Sequence, residues 1–128
     1  MYIKKEWQIM KLTELFSKDT RNLSFEVFPN KKPENLESVK AKTAKIAALD
    51  PAFMSVTYGA GGGTSQFTLE IAKNIEQNCG VPVLAHLTGV SSTKEIVAQR
   101  IEDLKAAGIQ NIMALRGDLT PEMEGADR

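Results

Sequence analysis

The fold is decided by residues 81–117, which read VPVLAHLTGVSSTKEIVAQRIEDLKAAGIQNIMALRG. Two apolar runs, Val81–Leu87 and Asn111–Arg116, have the length and composition of strands in a parallel sheet that is covered on both faces. Between them apolar residues recur at the spacing of one helical face, namely Val97, Ile101 and Leu104. The stretch therefore predicts one strand–helix–strand unit.

The same unit recurs earlier in the chain, at intervals of roughly thirty residues. Two further apolar runs, Leu23–Phe28 and Phe53–Thr57, are predicted to be strands. Four strands that alternate with three helices indicate an α/β fold with a parallel sheet. The pattern alone leaves two architectures open, a doubly wound sheet and half of a barrel.

Each connecting helix is predicted from an apolar stripe and from the residues at its ends. The first begins after Pro33 and stops before Pro51. The third has Ser92 or Thr93 as its N-cap and ends at Gly108. The apolar stripe of the first helix is Leu36, Val39, Ile46 and Leu49. The stripe of the second helix is Phe67, Ile71 and Ile75, and Thr64 or Ser65 is its predicted N-cap. A short amphipathic helix within Lys11–Lys18 is predicted to precede the first strand.

The composition of the chain narrows its function class. Lys plus Arg equals Asp plus Glu, at 16 each among 128 residues, so the basic surface of a nucleic-acid-binding protein is not expected. No apolar stretch approaches the roughly 18 residues of a membrane span, and residues 1–10 lack the apolar core of a signal peptide. We therefore expect a cytoplasmic protein that acts on a small molecule, with no nucleic-acid or membrane partner.

One cysteine and one histidine limit the possible metal and thiol chemistry. Cys79 has no partner for an intrachain disulfide, and His86 as the only histidine leaves no zinc-type cluster. Cys79 precedes Gly80 at a predicted helix end, where a buried structural thiol is expected rather than a nucleophile. We therefore predict no metal site and assign no role to Cys79.

Polar residues occur within or directly after the predicted strands, whose carboxyl ends are where ligands bind in parallel α/β sheets. Glu26 lies inside the first apolar run, where burial would favour its protonated form and suit it to acid–base chemistry. Its alternative is a structural ion pair, or an edge strand that faces water. His86, near the end of the third strand, is either a hydrogen-bonded core residue or a ligand contact.

Two loops add to this group of polar residues. Thr57 and Tyr58 lead into the glycine-rich segment 59–64, which fits neither the dinucleotide fingerprint nor the phosphate-binding loop pattern. The segment Arg116–Asp118 places a cation, a turn and a carboxylate after the fourth strand, and an Arg–Asp pair that only organises the loop is the alternative. Because four successive strands each deliver such a group to one end of the sheet, the pattern favours a functional site.

Four segments, taken together, resemble signature segments of bacterial methylenetetrahydrofolate reductases, in order and at the right spacing. They are SFEVFP at 24–29, SVTYGA at 55–60, AHLT at 85–88 and ALRGDL at 114–119. The resemblance implies a (β/α)8 TIM barrel that holds FAD at its carboxyl face. It also implies that NADH or NADPH reduces the flavin, which then reduces 5,10-methylenetetrahydrofolate to 5-methyltetrahydrofolate, a step of one-carbon and methionine metabolism.

The resemblance further implies a role for each site residue. Glu26 matches the general acid that protonates the folate and opens its five-membered ring. Asp118 matches the aspartate that lies beside the flavin and contacts the folate pterin. Contacts with FAD are implied for Thr57, Tyr58, Ala60, His86, Arg116, Gly117 and Asp118, with Thr57 near the reactive edge of the flavin. Asn30, where many relatives carry a proline, and residues 63–66 depart from the family pattern.

The length of the chain departs from a complete barrel, which typically needs about 250 residues. We predict an N-terminal extension with a short leading helix, residues 1–22, followed by the first half of a barrel with four strands, residues 23–128. A half barrel leaves a strand edge and an apolar inner face uncovered. A truncated chain, a homodimer of half barrels and a separately encoded second half would each account for this. The alternative function is a non-catalytic α/β domain that binds a small molecule or a partner.

Overall fold

The structure is a computed structural model that describes residues 11–16, 21–58, 65–90 and 92–118. A short helix, α1, precedes the sheet, and three longer helices connect its four strands. The elements are α1 Leu12–Phe16, β1 Ser24–Val27, α2 Leu36–Ala47, β2 Phe53–Val56, α3 Ser65–Lys73, β3 Val83–Thr88, α4 Lys94–Ala106 and β4 Asn111–Leu115. A 3-10 turn, Pro33–Asn35, leads into α2, and a π-helical turn, Asn74–Cys79, extends α3.

The four strands form one parallel sheet in the order β1-β2-β3-β4. Right-handed crossovers between sequential neighbours place every connecting helix on the same face of the sheet. A doubly wound sheet would instead reverse its strand order at a switch point and carry helices on both faces. The α/β fold with parallel strands in the order of a barrel segment is therefore confirmed.

The helices pack on one face of the sheet and form the hydrophobic core there. Successive side chains of a strand point to opposite faces, so alternate positions of the strands face the helices, although Ala114 near the end of β4 stays exposed. Ile71 and Ile75 of the α3 segment are fully buried against this face, and each such side chain contributes about 1.5–3 kcal/mol of transfer free energy. The strand residues of the same core are Val27, Met54, Val56, Val83 and Ala85.

The opposite face of the sheet, which we call the inner face, has little cover from the described residues. The strand register places ten residues on it: Ser24, Glu26, Phe53, Ser55, Leu84, His86, Thr88, Asn111, Met113 and Leu115. Met113 and Leu115 are 39% and 40% exposed although they lie within a strand. In a closed barrel this face would line the interior.

Helix α1 lies at the amino end of the inner face. The backbone N–H of Leu12 donates to Asn111 Oδ1 at 2.8 Å, and the ring of Phe16 meets that of Phe53 edge to face, with centroids 5.6 Å apart. Phe53 and Asn111 are the first residues of their strands. The leading helix therefore covers the bottom of the half barrel, at the end away from the predicted site.

The ends of α4 agree with the predicted signals. Thr93 is the N-cap, because its side-chain oxygen accepts the backbone N–H of Ile96 at 3.2 Å. Gly108 follows the helix with φ of 79°, a left-handed conformation that glycine adopts at little cost. Of the two caps that the sequence left open, the structure selects Thr93 over Ser92.

Two predictions from the apolar pattern are wrong in detail. The third strand begins at Val83, because Pro82 has no N–H to donate to the ladder, although its carbonyl accepts from Met54 at 3.0 Å. Leu49 does not belong to the buried stripe of α2. The helix ends at Ala47 and the chain turns through Asp50, which leaves Leu49 65% exposed. The other strands are each one or two residues shorter than predicted.

Candidate functional site

The carboxyl ends of the strands form a cleft of about 440 Å³. Small-molecule sites commonly have volumes of about 300–1,000 Å³, so the cleft has room for part of a cofactor. Its lining comes from residues at the ends of three strands and from the loops that follow them: Tyr58, Thr88, Val90, Leu115, Arg116, Gly117 and Asp118. Four of the predicted site residues, Tyr58 and the three consecutive residues 116–118, are thus brought together at one site.

The loops after β3 and β4 are held close together by backbone hydrogen bonds. Gly89 N–H donates to Leu115 O and Val90 N–H donates to Arg116 O, both at 2.8 Å, so the ladder continues beyond the strands. Gly117 has φ of 89°, and a Cβ at this position would collide with the side chain of Thr88 and lie 2.6 Å from Cγ1 of Val90. Glycine is therefore required at 117 for the two loops to approach each other.

The two charged residues of this cleft are both exposed and do not pair with each other. Within the described segment 92–118, Arg116 forms no ion pair with Asp118, and its Nε donates instead to the carbonyl oxygen of Gly117 at 3.3 Å. An Arg–Asp pair that only organises the loop is therefore not what the structure contains. As far as the described residues go, the cation and the carboxylate are therefore available to a ligand in the cleft.

The end of β2 is anchored to the helix that follows it. Thr57 N–H donates to Val27 O at 3.1 Å, and Thr57 O accepts the hydroxyl of the buried Thr68 of α3 at 2.9 Å. This fixes the backbone that carries Tyr58 into the cleft. The predicted contact at Ala60 falls in residues 59–64, outside the described part of the chain.

Glu26 lies on the inner face and is not buried as the sequence predicted. Its side chain is 49% exposed, because β1 is at the edge of the sheet and the described residues leave this part of the inner face open. The alternative in which an edge strand faces water therefore describes Glu26 better. The carboxylate nevertheless has defined neighbours, since its Oε1 accepts the hydroxyl of Ser55 at 3.1 Å.

His86 faces the same carboxylate oxygen from β3. Its Nε2 lies 3.6 Å from Glu26 Oε1, just beyond hydrogen-bond distance, while the side chain is only 11% exposed. Nε2 is buried and has no hydrogen-bond partner among the described residues. Burial of a polar atom without a hydrogen bond costs about 1–3 kcal/mol. Nε2 is therefore an unsatisfied hydrogen-bonding group at the site. Three neighbouring strands thus bring Glu26, Ser55 and His86 together on the inner face.

Ser55 was not among the residues singled out from the sequence. It is paired in register with Glu26 across β1 and β2 and is 8% exposed. The available signal was a single hydroxyl within the apolar run Phe53–Val56. That signal identifies a polar contact but not its partner, because the partner depends on how two distant strands align.

Two titratable groups lie away from this site. Glu76, in the π-helical turn, accepts the backbone N–H of Val83 at 3.0 Å, and burial raises its pKa to about 7 against the opposing effect of that hydrogen bond. Burial also raises the pKa of the Cys79 thiol, which makes the thiolate scarcer and the sulfur less reactive. Both lie near the amino end of β3, where catalytic groups of parallel α/β folds are not found.

Metal clusters and membrane-spanning helices are both absent from the described ranges. Among residues 11–16, 21–58, 65–90 and 92–118, no cluster of three or more His, Cys, Asp or Glu side chains is arranged to hold a metal ion. In the same part of the chain, no helix combines the length and the apolar character needed to cross a membrane.

Comparison with known proteins places this chain in a family. Residues 11–127 match the family model described as methylenetetrahydrofolate reductase. The chain is 37% identical over 110 residues to "Methylenetetrahydrofolate reductase (NADH) 1" of Zea mays, a match that covers 86% of this chain and 18% of the maize protein. It is 36% identical over 111 residues to the "5,10-methylenetetrahydrofolate reductase" of Pectobacterium carotovorum, which covers 83% of this chain and 37% of that protein.

A second bacterial relative gives a similar match. The "5,10-methylenetetrahydrofolate reductase" of Escherichia coli K12 is 37% identical over 100 residues, which cover 78% of this chain and 34% of that protein. The chain therefore spans little more than a third of the length of these bacterial relatives and less than a fifth of the plant one. With the family model matched over residues 11–127, the chain belongs to the methylenetetrahydrofolate reductase family.

Proposed function

We propose that this chain forms the first half of a (β/α)8 barrel that reduces 5,10-methylenetetrahydrofolate to 5-methyltetrahydrofolate with FAD and NADH or NADPH. The observation that carries the proposal is the meeting of Glu26, Ser55 and His86 on the inner face, beneath a cleft at the carboxyl ends of the strands. Family membership gives this arrangement its chemical context. We place this chemistry in the cytoplasm.

The residues around the cleft fit a flavin. Tyr58 offers an aromatic surface, while Arg116 and Asp118, which form no ion pair with other described residues, offer a cation and a carboxylate to the polar groups of the cofactor. His86 Nε2 offers a buried hydrogen-bonding atom that has no partner in the described part of the chain. We propose that FAD is held by Thr57, Tyr58, Ala60, His86, Arg116, Gly117 and Asp118. When bound, the flavin supplies the chemistry of hydride acceptance and donation.

Glu26 is the proposed proton donor to the folate. Protonation of a ring nitrogen by its carboxyl group would open the five-membered ring and produce the electrophilic carbon that accepts a hydride. The donor works best when it is shielded from water, because desolvation favours the protonated form of a carboxyl group. We propose that substrate, flavin and further strands of the barrel provide this cover over the inner face. Asp118 is proposed to orient the pterin ring from the cleft.

The role of Glu26 is tested with Glu26→Gln in the flavin-loaded, full-length protein. We expect reduction of the flavin by NADH to continue and the folate half-reaction to fall by about 10²- to 10⁴-fold, the usual contribution of a general acid. Stopped-flow absorbance of the flavin measures the two half-reactions separately. The matched control is Glu37→Gln on α2, an exposed glutamate paired with Lys40, which should leave both rates unchanged.

Two results would contradict this proposal. A full-length protein that neither carries nor takes up flavin would show that FAD is not its cofactor. A Glu26→Gln variant that reduces folate at the unaltered rate would show that Glu26 is not the proton donor. Either result would favour the alternative function, a non-catalytic α/β domain that binds a small molecule or a partner.

A further inference from the structure

Ser55 is a buried hydroxyl whose hydrogen bond goes to the proposed proton donor. It lies in the middle of β2, it is 8% exposed, and its Oγ is 3.1 Å from Oε1 of Glu26. The two residues are also register partners across β1 and β2. The contact is therefore built by the sheet itself, since strand pairing brings the hydroxyl and the carboxyl group to the same position.

A buried hydroxyl at this position is energetically costly, and an apolar side chain with a purely structural role would avoid that cost. The rest of β2, Phe53, Met54 and Val56, is apolar, and burial of a hydroxyl without a partner costs about 1–3 kcal/mol. The hydrogen bond to Glu26 offsets that cost. At position 55 the sheet thus provides a hydrogen-bond donor for Glu26.

The two oxygens of the Glu26 carboxyl group are not equivalent. Oε1 accepts the hydroxyl of Ser55 and faces Nε2 of His86 at 3.6 Å. Oε2 makes no hydrogen bond within the described part of the chain. A proton on Oε1 would compete with the Ser55 hydrogen bond, whereas a proton on Oε2 would not.

We propose that Ser55 is a positioning residue for Glu26, which restrains its carboxyl group through Oε1 and leaves Oε2 as the oxygen that carries and delivers the proton. The inference rests on the proposed function of Glu26 and deepens it. Among the side chains that β1, β2, β3 and β4 place on the inner face, Glu26 and His86 are the titratable ones. On these strands His86 is therefore the single titratable neighbour of the Glu26 carboxyl group, and Ser55 lies on the strand between them.

The test compares three variants of the flavin-loaded, full-length protein. Ser55→Ala removes the hydroxyl, and Ser55→Thr retains it. Ser24→Ala is the matched control, because Ser24 lies on the same face of the sheet, two residues before Glu26, but is exposed. Stopped-flow measurement of each half-reaction over a range of pH gives a rate profile for the folate step and one for the NADH step.

We expect Ser55→Ala to slow the folate half-reaction by about 10- to 100-fold, which corresponds to the loss of one hydrogen bond to a charged or ionisable group. The pH profile of that step should also shift, because the bond distinguishes the two protonation states of its acceptor. The NADH half-reaction and the flavin affinity should stay within about twofold of the parent protein. Ser55→Thr should restore most of the folate rate.

A spectroscopic readout makes the test independent of turnover. In protein with ¹³C-labelled glutamate, the side-chain carboxyl signal of Glu26, assigned by its loss in Glu26→Gln, reports the state of that group directly. We expect its chemical shift and its titration midpoint to move in Ser55→Ala, and to return toward the parent values in Ser55→Thr. Ser24→Ala should leave both unchanged.

The outcomes separate this inference from the proposed function. If Glu26→Gln itself leaves the folate step intact, the proposed function has failed. If Glu26→Gln abolishes that step but Ser55→Ala behaves like Ser24→Ala, the positioning role is overturned and the acid stands. Equal losses in both half-reactions that Ser55→Thr does not restore would show a structural role, and would overturn the proposal as well.

Discussion

At the scale of single residues, two glutamates of this chain differ in their surroundings. Glu76 is half-buried at the amino end of β3, and burial raises its pKa to about 7. Glu26, the proposed acid, is 49% exposed on the inner face. A carboxyl group with a raised pKa is often a sign of a functional site, but Glu76 accepts the first backbone N–H of β3, away from the cleft. Geometry and family membership, more than burial, support the proposed site.

The raised pKa of Glu76 predicts a pH dependence of stability. The folded-state pKa of about 7 lies above the model value of 4.5, so the folded protein holds this proton more tightly than the unfolded chain. The stabilisation is fully present below pH 4.5 and is lost as pH rises through 7. We expect the free energy of unfolding to fall by on the order of 1 kcal/mol over this range because of Glu76, a figure kept small because the group is partly solvated.

Glu76→Gln tests this dependence, because the amide oxygen can still accept the N–H of Val83 but does not titrate. Urea unfolding between pH 5 and pH 8 should show that the variant loses less stability than the parent over this range. Glu102→Gln, at an exposed pair with Lys105 on α4, is the control and should follow the parent. Parallel curves for the parent and Glu76→Gln would exclude the assigned cause.

At the scale of elements, the cleft depends on how closely the loops after β3 and β4 approach each other. Backbone hydrogen bonds extend the ladder to Val90 and Arg116, and the absence of a side chain at Gly117 gives Thr88 and Val90 the space that they occupy. The same contacts place Arg116 and Asp118 at the cleft. A small change at position 117 should therefore affect both the stability of the loops and the binding of a cofactor.

Gly117→Ala is expected to destabilise the protein by about 2–4 kcal/mol, from a left-handed backbone combined with a collision in a packed loop. Gly108→Ala is the matched control, since Gly108 also has a positive φ, of 79°, but a Cβ there meets nothing within 4 Å. Gly108→Ala should lower the free energy of unfolding by about 1–2 kcal/mol, from the backbone alone. Urea unfolding compares the two variants. Equal losses would argue against tight loop packing at 117.

At the scale of the whole molecule, the described part of the chain is a sheet with one covered face and two free edges. β1 and β4 are the outer strands, and each pairs on one side only within this part. Leu115 and Met113 are about two-fifths exposed on the inner face, and Leu23 and Phe28 beside β1 are more exposed still. Such edges and apolar surfaces favour association with further strands, from the rest of the proposed barrel or from a second copy.

Residues 1–128 produced by themselves are therefore expected to associate. Size-exclusion chromatography with light scattering should give a mass above the 14.0 kDa of one chain, and a dye that binds apolar surfaces should fluoresce with it. Addition of a polypeptide that supplies the other strands of the proposed barrel should reduce both signals. A stable 14.0 kDa monomer without dye binding would show that the inner face is covered in another way.

Much of the fold could be predicted because it is encoded in local patterns. Apolar runs, helical stripes and the stop at Gly108 identified the four strands, the three connecting helices and their order along the chain. The errors at Leu49 and Val81 are end effects, where the last turn of a helix and a proline decide the boundary. The residues of the cleft after β2 and β4 were also predictable, because they directly follow apolar runs.

The sequence by itself determined the βα repeat and the parallel sheet, which follow from local patterns of apolar residues, and the likeness to methylenetetrahydrofolate reductases, which follows from four short segments and their spacing. Only the tertiary structure decided that Ser55 and His86 meet Glu26, that Glu26 is open, and that α1 lies beneath the sheet. The reason is that register and exposure depend on strands about thirty residues apart, and a shift of one residue would turn each of these side chains to the other face.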